Sequence, residues 1–369
     1  MIDDSSIQRI TKLTPLAAVL ALIEARVEAV SPQIFRPTAV HGLTLAEDVV
    51  ASQRPPLALA LRDGFAVDSA AVADAGPYAP VTLTATRRRD AGQPMPEGTD
   101  AVLPLDAVTL RGEGAEAMAP VLPGEGVLVA GGDAVPQTPL RRAGQRLRAI
   151  DIAAITAARI EAISIRQPRI SIAHGGAADR IIHGALGMLV NAVFEVGATV
   201  SQNQVMLDAA LAEADSDAII AVGGTGSGRR DTAVRNLARL GQVEMHGIAI
   251  SPGETAAFGF VGKRPVLLVP GRLDAALTTW VLIGRHLIAK LAGGAAGFTA
   301  ATLPLKRKVT STIGMMELIP VACAGAMAEP LGAGYLSFTS LARSDGWIVV
   351  PADSEGFAAG TLVAVQPWF

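Results

Sequence analysis

Three places in the chain group residues that could do chemistry. The first is Gly223-Gly224-Thr225-Gly226-Ser227-Gly228-Arg229-Arg230-Asp231, which follows the apolar run 218–222 and precedes a helical pattern over 232–240. Glycine takes positive φ at little steric cost, so such a loop can turn its N–H groups inward, and the helix start behind it adds partial positive charge. Together these make a cradle for a phosphate, although a plain glycine turn in an αβ crossover would have the same composition. The Gly-Lys-Ser/Thr ending of a Walker loop is missing, and Arg229 stands where the dinucleotide fingerprint needs its third glycine. Asp231 reads either as a functional carboxylate or as a helix cap.

The second place is Leu61-Arg62-Asp63-Gly64-Phe65-Ala66-Val67, where Asp-Gly is equally ordinary turn chemistry. The third pairs Ile248-Ala249-Ile250-Ser251-Pro252-Gly253-Glu254 with Val266-Leu267-Leu268-Val269-Pro270-Gly271-Arg272. Two strands that each end in Pro-Gly would bring two tight loops to one edge of a sheet, near the glycine loop; two ordinary strand-end turns would read the same way. The five histidines show no metal-ligand spacing, and no Gly-x-Ser-x-Gly elbow offers a serine nucleophile. The one cysteine, Cys323, excludes an internal disulfide and a cysteine metal cluster, and is expected in the core.

The elements that must position these residues follow from periodicity. Thr14 and Pro15 predict a capped helix start, with Leu16, Val19, Leu20, Ile23 and Val27 at helical spacing. From Gly42 to about Gly144 short β-type runs alternate with Pro-rich and Gly-rich turns, which reads as a β-rich module. Residues 151–162 predict a second helix. Strands over 169–173, 218–222 and 266–269 then alternate with helices over 184–196, 204–214, 232–240 and 274–291, the pattern of a parallel sheet with crossover helices. Beyond Gly297 short strands return over 308–312, 316–321, 346–350 and 361–365, giving a small all-β ending.

A chain of 369 residues, 50% hydrophobic and 18% charged, is long enough for two to four domains and is expected to fold throughout. Net charge is -3, so nothing attracts nucleic acid or an acidic membrane in general, and any anion must be held locally. Three Trp, two Tyr and nine Phe, with no basic stripe, argue against a nucleic-acid stacking surface. The longest apolar run, residues 16–23, falls short of the roughly 20 residues that cross a bilayer. Residues 1–12 do not resemble a signal peptide, and a cytoplasmic protein is expected.

Taken in order, the segments resemble the molybdopterin molybdenumtransferases, the family of the bacterial MoeA proteins and the E domain of gephyrin. Arg62-Asp63-Gly64-Phe65-Ala66-Val67 is similar to the family's Met-Asp-Gly-Tyr-Ala-Val, and Gly98-Thr99-Asp100-Ala101-Val102 to its Gly-Ala-Asp-Ala-Val. Gly131-Gly132-Asp133 resembles Gly-Glu-Asp, and Gly223 to Asp231 resembles Gly-Gly-Val-Ser-Val-Gly-x-x-Asp. Pro270-Gly271 resembles the start of Leu-Pro-Gly-Asn-Pro, and Asp345-Gly346 to Pro351 the family's Asp-Gly tail.

The resemblance implies a multidomain α/β and β fold: a split helical and β part (1–53 and 147–166), an inserted β module (54–146), a Mog-like αβα domain that binds molybdopterin (167–299), and a β-barrel-like tail (300–369). It implies a homodimer, with Mg²⁺ as cofactor and with adenylylated molybdopterin and molybdate as substrates. It also leaves room for other cofactor-biosynthesis proteins or a molybdoenzyme as partners. Asp63, Asp133 and Asp231 become the candidates for catalysis, Asp63 and Asp231 for the metal. Gly223, Gly224, Thr225, Gly226, Ser227, Gly228, Arg229 and Arg230 become the phosphate cradle. His174, Gly175, Asn191, Ser251, Pro252, Gly253, Pro270, Gly271 and Arg272 complete the expected cofactor-binding set.

The chain also departs from the family. Ser251-Pro252-Gly253-Glu254-Thr255 replaces Lys-Pro-Gly-Lys-Pro, so two cations become a hydroxyl and an anion. His174-Gly175-Gly176-Ala177 replaces Thr-Gly-Asp-Glu, Leu189-Val190-Asn191 keeps only the asparagine of Asp-Thr-Asn, and Arg272-Leu273 replaces Asn-Pro. Arg229, Arg230 and Arg272 are candidates to restore the positive charge. A relative without catalysis, which binds molybdopterin or a related phosphorylated ligand as carrier, chaperone or regulator, is the alternative reading.

Overall fold

The structure is a computed structural model that describes residues 8–112, 114–176, 178–295, 297 and 300–368. Ala177 lies outside the described residues. By its contacts the chain forms two compact units, one of Met1–Glu47, Ala143–Arg148 and Ala162–Phe369, the other of Asp48–Arg142 and Ala149–Glu161.

The first helix, α1 (Leu16–Arg26), buries Leu16, Val19 and Ile23, three positions of the predicted apolar stripe. Its start differs from expectation. Pro15 holds the N-cap position with no side-chain cap, while Thr14 bridges Ile248 in strand-like pairing. The Thr14 amide donates to Gly247 O at 2.9 Å and its carbonyl accepts from Ala249 N at 2.8 Å, so tertiary pairing takes its backbone and nothing caps the helix from position 14. The second helix, α2 (Ala149–Ala157), begins two residues before the predicted 151 and ends five before 162.

From residue 169 the predicted alternation is present. A six-stranded sheet runs in the order Thr199–Met206, Arg169–His174, Ala218–Val222, Arg264–Val269, Ala257–Val261, Gln242–His246. The first four strands are parallel, Ala257–Val261 runs antiparallel to them, and Gln242–His246 pairs antiparallel with Ala257–Val261. Its helices are α3 (Arg180–Glu195), α4 (Leu207–Ala212), α5 (Ala233–Leu240), α6 (Leu273–Thr279) and α7 (Arg285–Leu291), with a π-helical stretch at Trp280–Gly284 joining the last two. Residues 204–206, expected in a helix, continue the edge strand, with Gln204 at φ 58 and a register shift beside it. Pairing with Arg169–His174 overrides helical spacing there.

Alternation along the central strands divides them between two cores. Ile170, Ile172, Ile220, Val222, Leu267 and Val269 pack with α1, α3, α6 and α7. Ile219, Ala221, Val266 and Leu268 pack with α4 and α5 on the other face. Both faces are covered, which is why the strands read as unbroken apolar runs.

The segment 248–254 is a correction. Ile250–Ser251 does not join this sheet; it pairs in parallel with Met316–Ala324. That C-terminal sheet runs Ile250–Ser251, Met316–Ala324, Gly346–Val350, Leu362–Pro367, Ala301–Pro304, with Met327–Pro330 beside Met316–Ala324. It remains open among the described residues, with no closed barrel, around Leu305, Val309, Ile319, Val321, Ile348, Val350, Val363 and Val365. One helix not expected there, α8 (Phe338–Arg343), starts at Ser337, whose hydroxyl accepts from Ser340 N at 3.1 Å. Cys323 is exposed rather than core, because it sits next to the hairpin turn, where its amide donates to Asp345 Oδ2 at 2.7 Å.

In the other unit Gly64–Val67 lies between Arg88–Arg89 and Ala101–Pro104, and Leu59–Ala60 pairs with Val127–Leu128. Val67, Val72, Ala101, Leu103, Ala117 and Val121 form a core. These are the short strands that turn-rich composition predicts. Among the described residues no helix is long and apolar enough to cross a membrane.

Candidate functional site

The carboxyl ends of Arg169–His174, Ala218–Val222 and Arg264–Val269 open onto a cleft of about 450 Å³, where ligands of such sheets bind. Of the expected residues, the structure brings Gly223, Gly224, Thr225, Gly226, Asp231, Pro270, Gly271 and Arg272 together on its wall.

The glycines are needed because backbone packs on backbone. A Cβ on Gly175 would stand 2.3 Å from Gly223 O, and one on Gly224 would stand 2.8 Å from Gly175 O. Gly223 and Gly224 also sit at φ 89 and 73, the left-handed region. The Gly175 amide donates to Val222 O at 2.9 Å and the Gly223 amide to Val269 O at 2.8 Å, fixing one turn to the next. Beyond that anchor, the amides of Gly224, Thr225, Gly226 and Ser227 have no partner among the described residues. Free amides at the end of a strand are the donors of an anion cradle.

Asp231 closes this loop. Its Oδ2 accepts from Gly228 N at 2.7 Å, and a Cβ on Gly226 or Gly228 would meet that oxygen at 2.8 Å. The N-cap of α5 is Thr232, without a side-chain cap. The carboxylate therefore belongs to the loop and not to the helix. Thr225, 2% exposed, is fixed by its hydroxyl against the Thr255 hydroxyl at 3.0 Å.

On the neighbouring loop Arg272 forms a fork with Asp274, Nε to Oδ1 at 3.1 Å and Nη2 to Oδ2 at 2.5 Å. Its guanidinium lies over the Tyr335 ring, 5.1 Å from the centroid. Asp274 is buried and also accepts from Leu336 N at 3.1 Å, so one carboxylate ties the start of α6 to the segment before α8. The hydrogen bond to Asp274 raises the Arg272 pKa, against burial, and Glu254 adds to the rise. Arg272 is the one cation among the described residues lining the cleft, facing Asp179, Asp231 and Asp274.

The remaining candidates are placed differently. Ser227, Gly228, Arg229 and Arg230 are exposed on the same loop and do not line the cleft. His174 ends its strand with Nδ1 turned to Gly176 O at 2.6 Å. Asn191 is an exposed residue of α3, eleven residues beyond its start and so about 16 Å along the axis. It is not on the cleft wall. Ser251, Pro252 and Gly253 are also off that wall because their strand joined the C-terminal sheet. In the other compact unit Asp63 is exposed and accepts from Ala91 N at 2.8 Å, and exposed Asp133 donates its amide to Arg54 O at 2.9 Å. Among the described residues no three His, Cys, Asp or Glu converge as metal ligands.

Sequence reasoning missed Asp179, Thr255, Asp274 and Tyr335, all on the wall. Asp179 carried a signal, an aspartate before a helical run; it caps α3, its Oδ1 accepting from Ile181 N and Ile182 N, both at 2.9 Å. The other three carried none, since only tertiary contact brings them to the cleft.

The comparisons with known proteins agree with this architecture. Residues 14–158 match the model "MoeA N-terminal region (domain I and II)", residues 178–290 the model "Probable molybdopterin binding domain", and residues 302–368 the model "MoeA C-terminal region (domain IV)". A molybdopterin molybdenumtransferase of Haemophilus influenzae is 23% identical over 88% of this chain and 90% of its own length. A Methanocaldococcus jannaschii protein named for molybdopterin biosynthesis is 34% identical, but the match spans 41% of this chain and only 36% of that protein. The structure of a molybdopterin biosynthesis MoeA protein from Pyrococcus horikoshii superposes with a TM-score of 0.78 at 22% identity, covering 96% of this chain and all of that one, which shows the fold. With its regions following one another in the order of a MoeA protein, the chain belongs to the MoeA family of molybdopterin molybdenumtransferase-like proteins.

Proposed function

We propose that the cleft binds the phosphate of molybdopterin and that the chain inserts molybdate into adenylylated molybdopterin with release of the nucleotide. Its family gives the chain a role in molybdenum cofactor biosynthesis. The observation that carries the finer reading is the row of unpartnered amides over Gly224 to Ser227 beside the Asp231 carboxylate. Amides bind a phosphate without a formal charge, and the Arg272 guanidinium, its Nε and Nη2 held by Asp274, adds a positive charge for a second anionic group.

The donor set fits a Mg²⁺ brought in on phosphate. Asp231 Oδ1 and Asp179 Oδ2 have no partner among the described residues, and this ion usually takes one or two carboxylates with waters and substrate phosphates completing its shell. Mg²⁺ there would neutralise phosphate charge; the chain's own part is to hold and orient the anion and the pterin. The four-part division of the chain, a homodimer, and roles for Asp63 and Asp133 belong to the same proposal.

A second reading, binding without turnover, is favoured by the charge on the wall: three carboxylates against one arginine that is already paired. Titration of the purified protein with molybdopterin and its adenylylated form, followed by molybdate and Mg²⁺, separates the two. Nucleotide release is the expected result, dependent on Mg²⁺ and abolished by chelation. Binding without release supports the second reading, and no binding of either form overturns both.

A further inference from the structure

Three consecutive carbonyls of the glycine loop are held by side chains. Gln8 Nε2 donates to Gly226 O at 2.8 Å and to Gly224 O at 3.2 Å, and Gln8 Oε1 accepts from Arg235 N, in the first turn of α5, at 3.1 Å. His246 Nε2 faces Thr225 O at 2.9 Å; a carbonyl only accepts, so that nitrogen carries the proton. In a trans peptide the C=O of one residue and the N–H of the next point in opposite directions. Engaging the carbonyls of Gly224, Thr225 and Gly226 therefore turns the amides of Thr225, Gly226 and Ser227 away from Gln8 and His246. Those are the amides with no partner among the described residues.

Gln8 is 8% exposed and matched at both ends, two carbonyls on its NH₂ and one amide on its oxygen. A glutamate of the same shape could not donate to the carbonyls, and a leucine could do neither. The Gln8 bonds cross 216 to 227 residues of sequence; the Gly224 carbonyl also accepts from Ala233 N at 3.0 Å, so among the described residues the Thr225 and Gly226 carbonyls are the two held by side chains alone.

We propose that Gln8 and His246 are positioning residues of the anion site: they do not touch the ligand, but hold the peptide planes of the loop so that its amides are presented to a phosphate. The proposal rests on the reading that the loop binds a phosphorylated pterin. Its test compares Gln8→Leu, Gln8→Glu and Gln8→Asn with His246→Phe and His246→Gln in the full chain. Two quantities are read: the dissociation constant for molybdopterin, and the amide ¹⁵N resonances of Thr225, Gly226 and Ser227 without ligand.

Gln8→Leu and His246→Phe should each weaken binding by roughly tenfold, the equivalent of one net hydrogen bond, and shift all three resonances. Gln8→Glu should be worse, because it sets an anion against two carbonyl oxygens. His246→Gln, which keeps a donor, should recover most of the loss, a rescue that a merely structural role would not predict. Wild-type affinity in Gln8→Leu and His246→Phe, with or without shifted resonances, overturns the proposal. If the wild type itself binds no molybdopterin, the functional reading fails first, and unshifted resonances in both variants would still overturn the clamp.

Discussion

The two loops that follow the neighbouring strands Ala218–Val222 and Arg264–Val269 line the same cleft with different parts. The loop over 223–231 offers backbone: the carbonyls of Gly224, Thr225 and Gly226 are engaged, the amides of Gly224 to Ser227 have no partner among the described residues, and the charge it adds to the cleft wall is the Asp231 carboxylate. The loop over 270–274 offers a side chain, an arginine aimed by a buried carboxylate and laid over an aromatic ring. The first depends on shape, since any Cβ at its glycine contacts would displace it. The second depends on charge and on its link to the segment before α8. On the proposed reading, an anion bound here does not need a cluster of cations, because peptide dipoles held in place would do part of the work.

The contrast can be broken most severely at Asp274. Asp274→Ala leaves the Leu336 amide and the Arg272 fork without their acceptor, and should cost about 3 kcal/mol of stability. Urea denaturation checks this, and a loss under about 1 kcal/mol would show that the carboxylate is dispensable. Next comes Gly175→Ala, whose Cβ has backbone 2.3 Å away and must push the glycine loop aside. It should lower stability by about 1–3 kcal/mol and abolish molybdopterin binding, whereas Gly176→Ala, with nothing within 4 Å of its added Cβ, should do neither. Calorimetric titration of the two variants side by side decides it.

Arg272→Ala sharpens the division between the loops. Its side chain is 52% exposed, but its loss leaves the 3% exposed Asp274 carboxylate without a cation, so stability should fall by about 1–2 kcal/mol, less than in Asp274→Ala. Affinity for a phosphorylated ligand should fall by about tenfold or more, with only partial recovery in Arg272→Lys, because a point charge cannot make the planar fork. Equal affinity in all three proteins would move recognition wholly to the amides. The smallest effect is expected at Asn191: as an exposed mid-helix residue away from the wall, its change to alanine should alter stability by under about 0.5 kcal/mol and affinity not at all.

These cases show where the sequence was legible. The strand before the glycine loop, the helix after it and the loop itself were readable because five apolar residues followed by closely spaced glycines have few other uses. Pro270-Gly271-Arg272 and Ser251-Pro252-Gly253 looked alike from sequence, two strand-end Pro-Gly turns, yet only the first lies on the cleft. Partner choice separated them: Arg264–Val269 pairs with Ala218–Val222, while Ile250–Ser251 pairs with a strand more than sixty residues further on. Asn191 was placed by its similarity to a short motif, and helical phase then carried it to the surface.

By itself the sequence determined the class of fold, most of its elements, the family and the glycine loop after the strand Ala218–Val222, because those follow from local periodicity and from the freedom of glycine at positive φ. Only tertiary structure decided that Gln8, Thr255, Asp274 and Tyr335 belong with that loop, and which of two similar turns does. Contacts across 30 to 227 residues depend on which strands pair and which faces pack, and that is a property of the whole chain's burial that no short window carries.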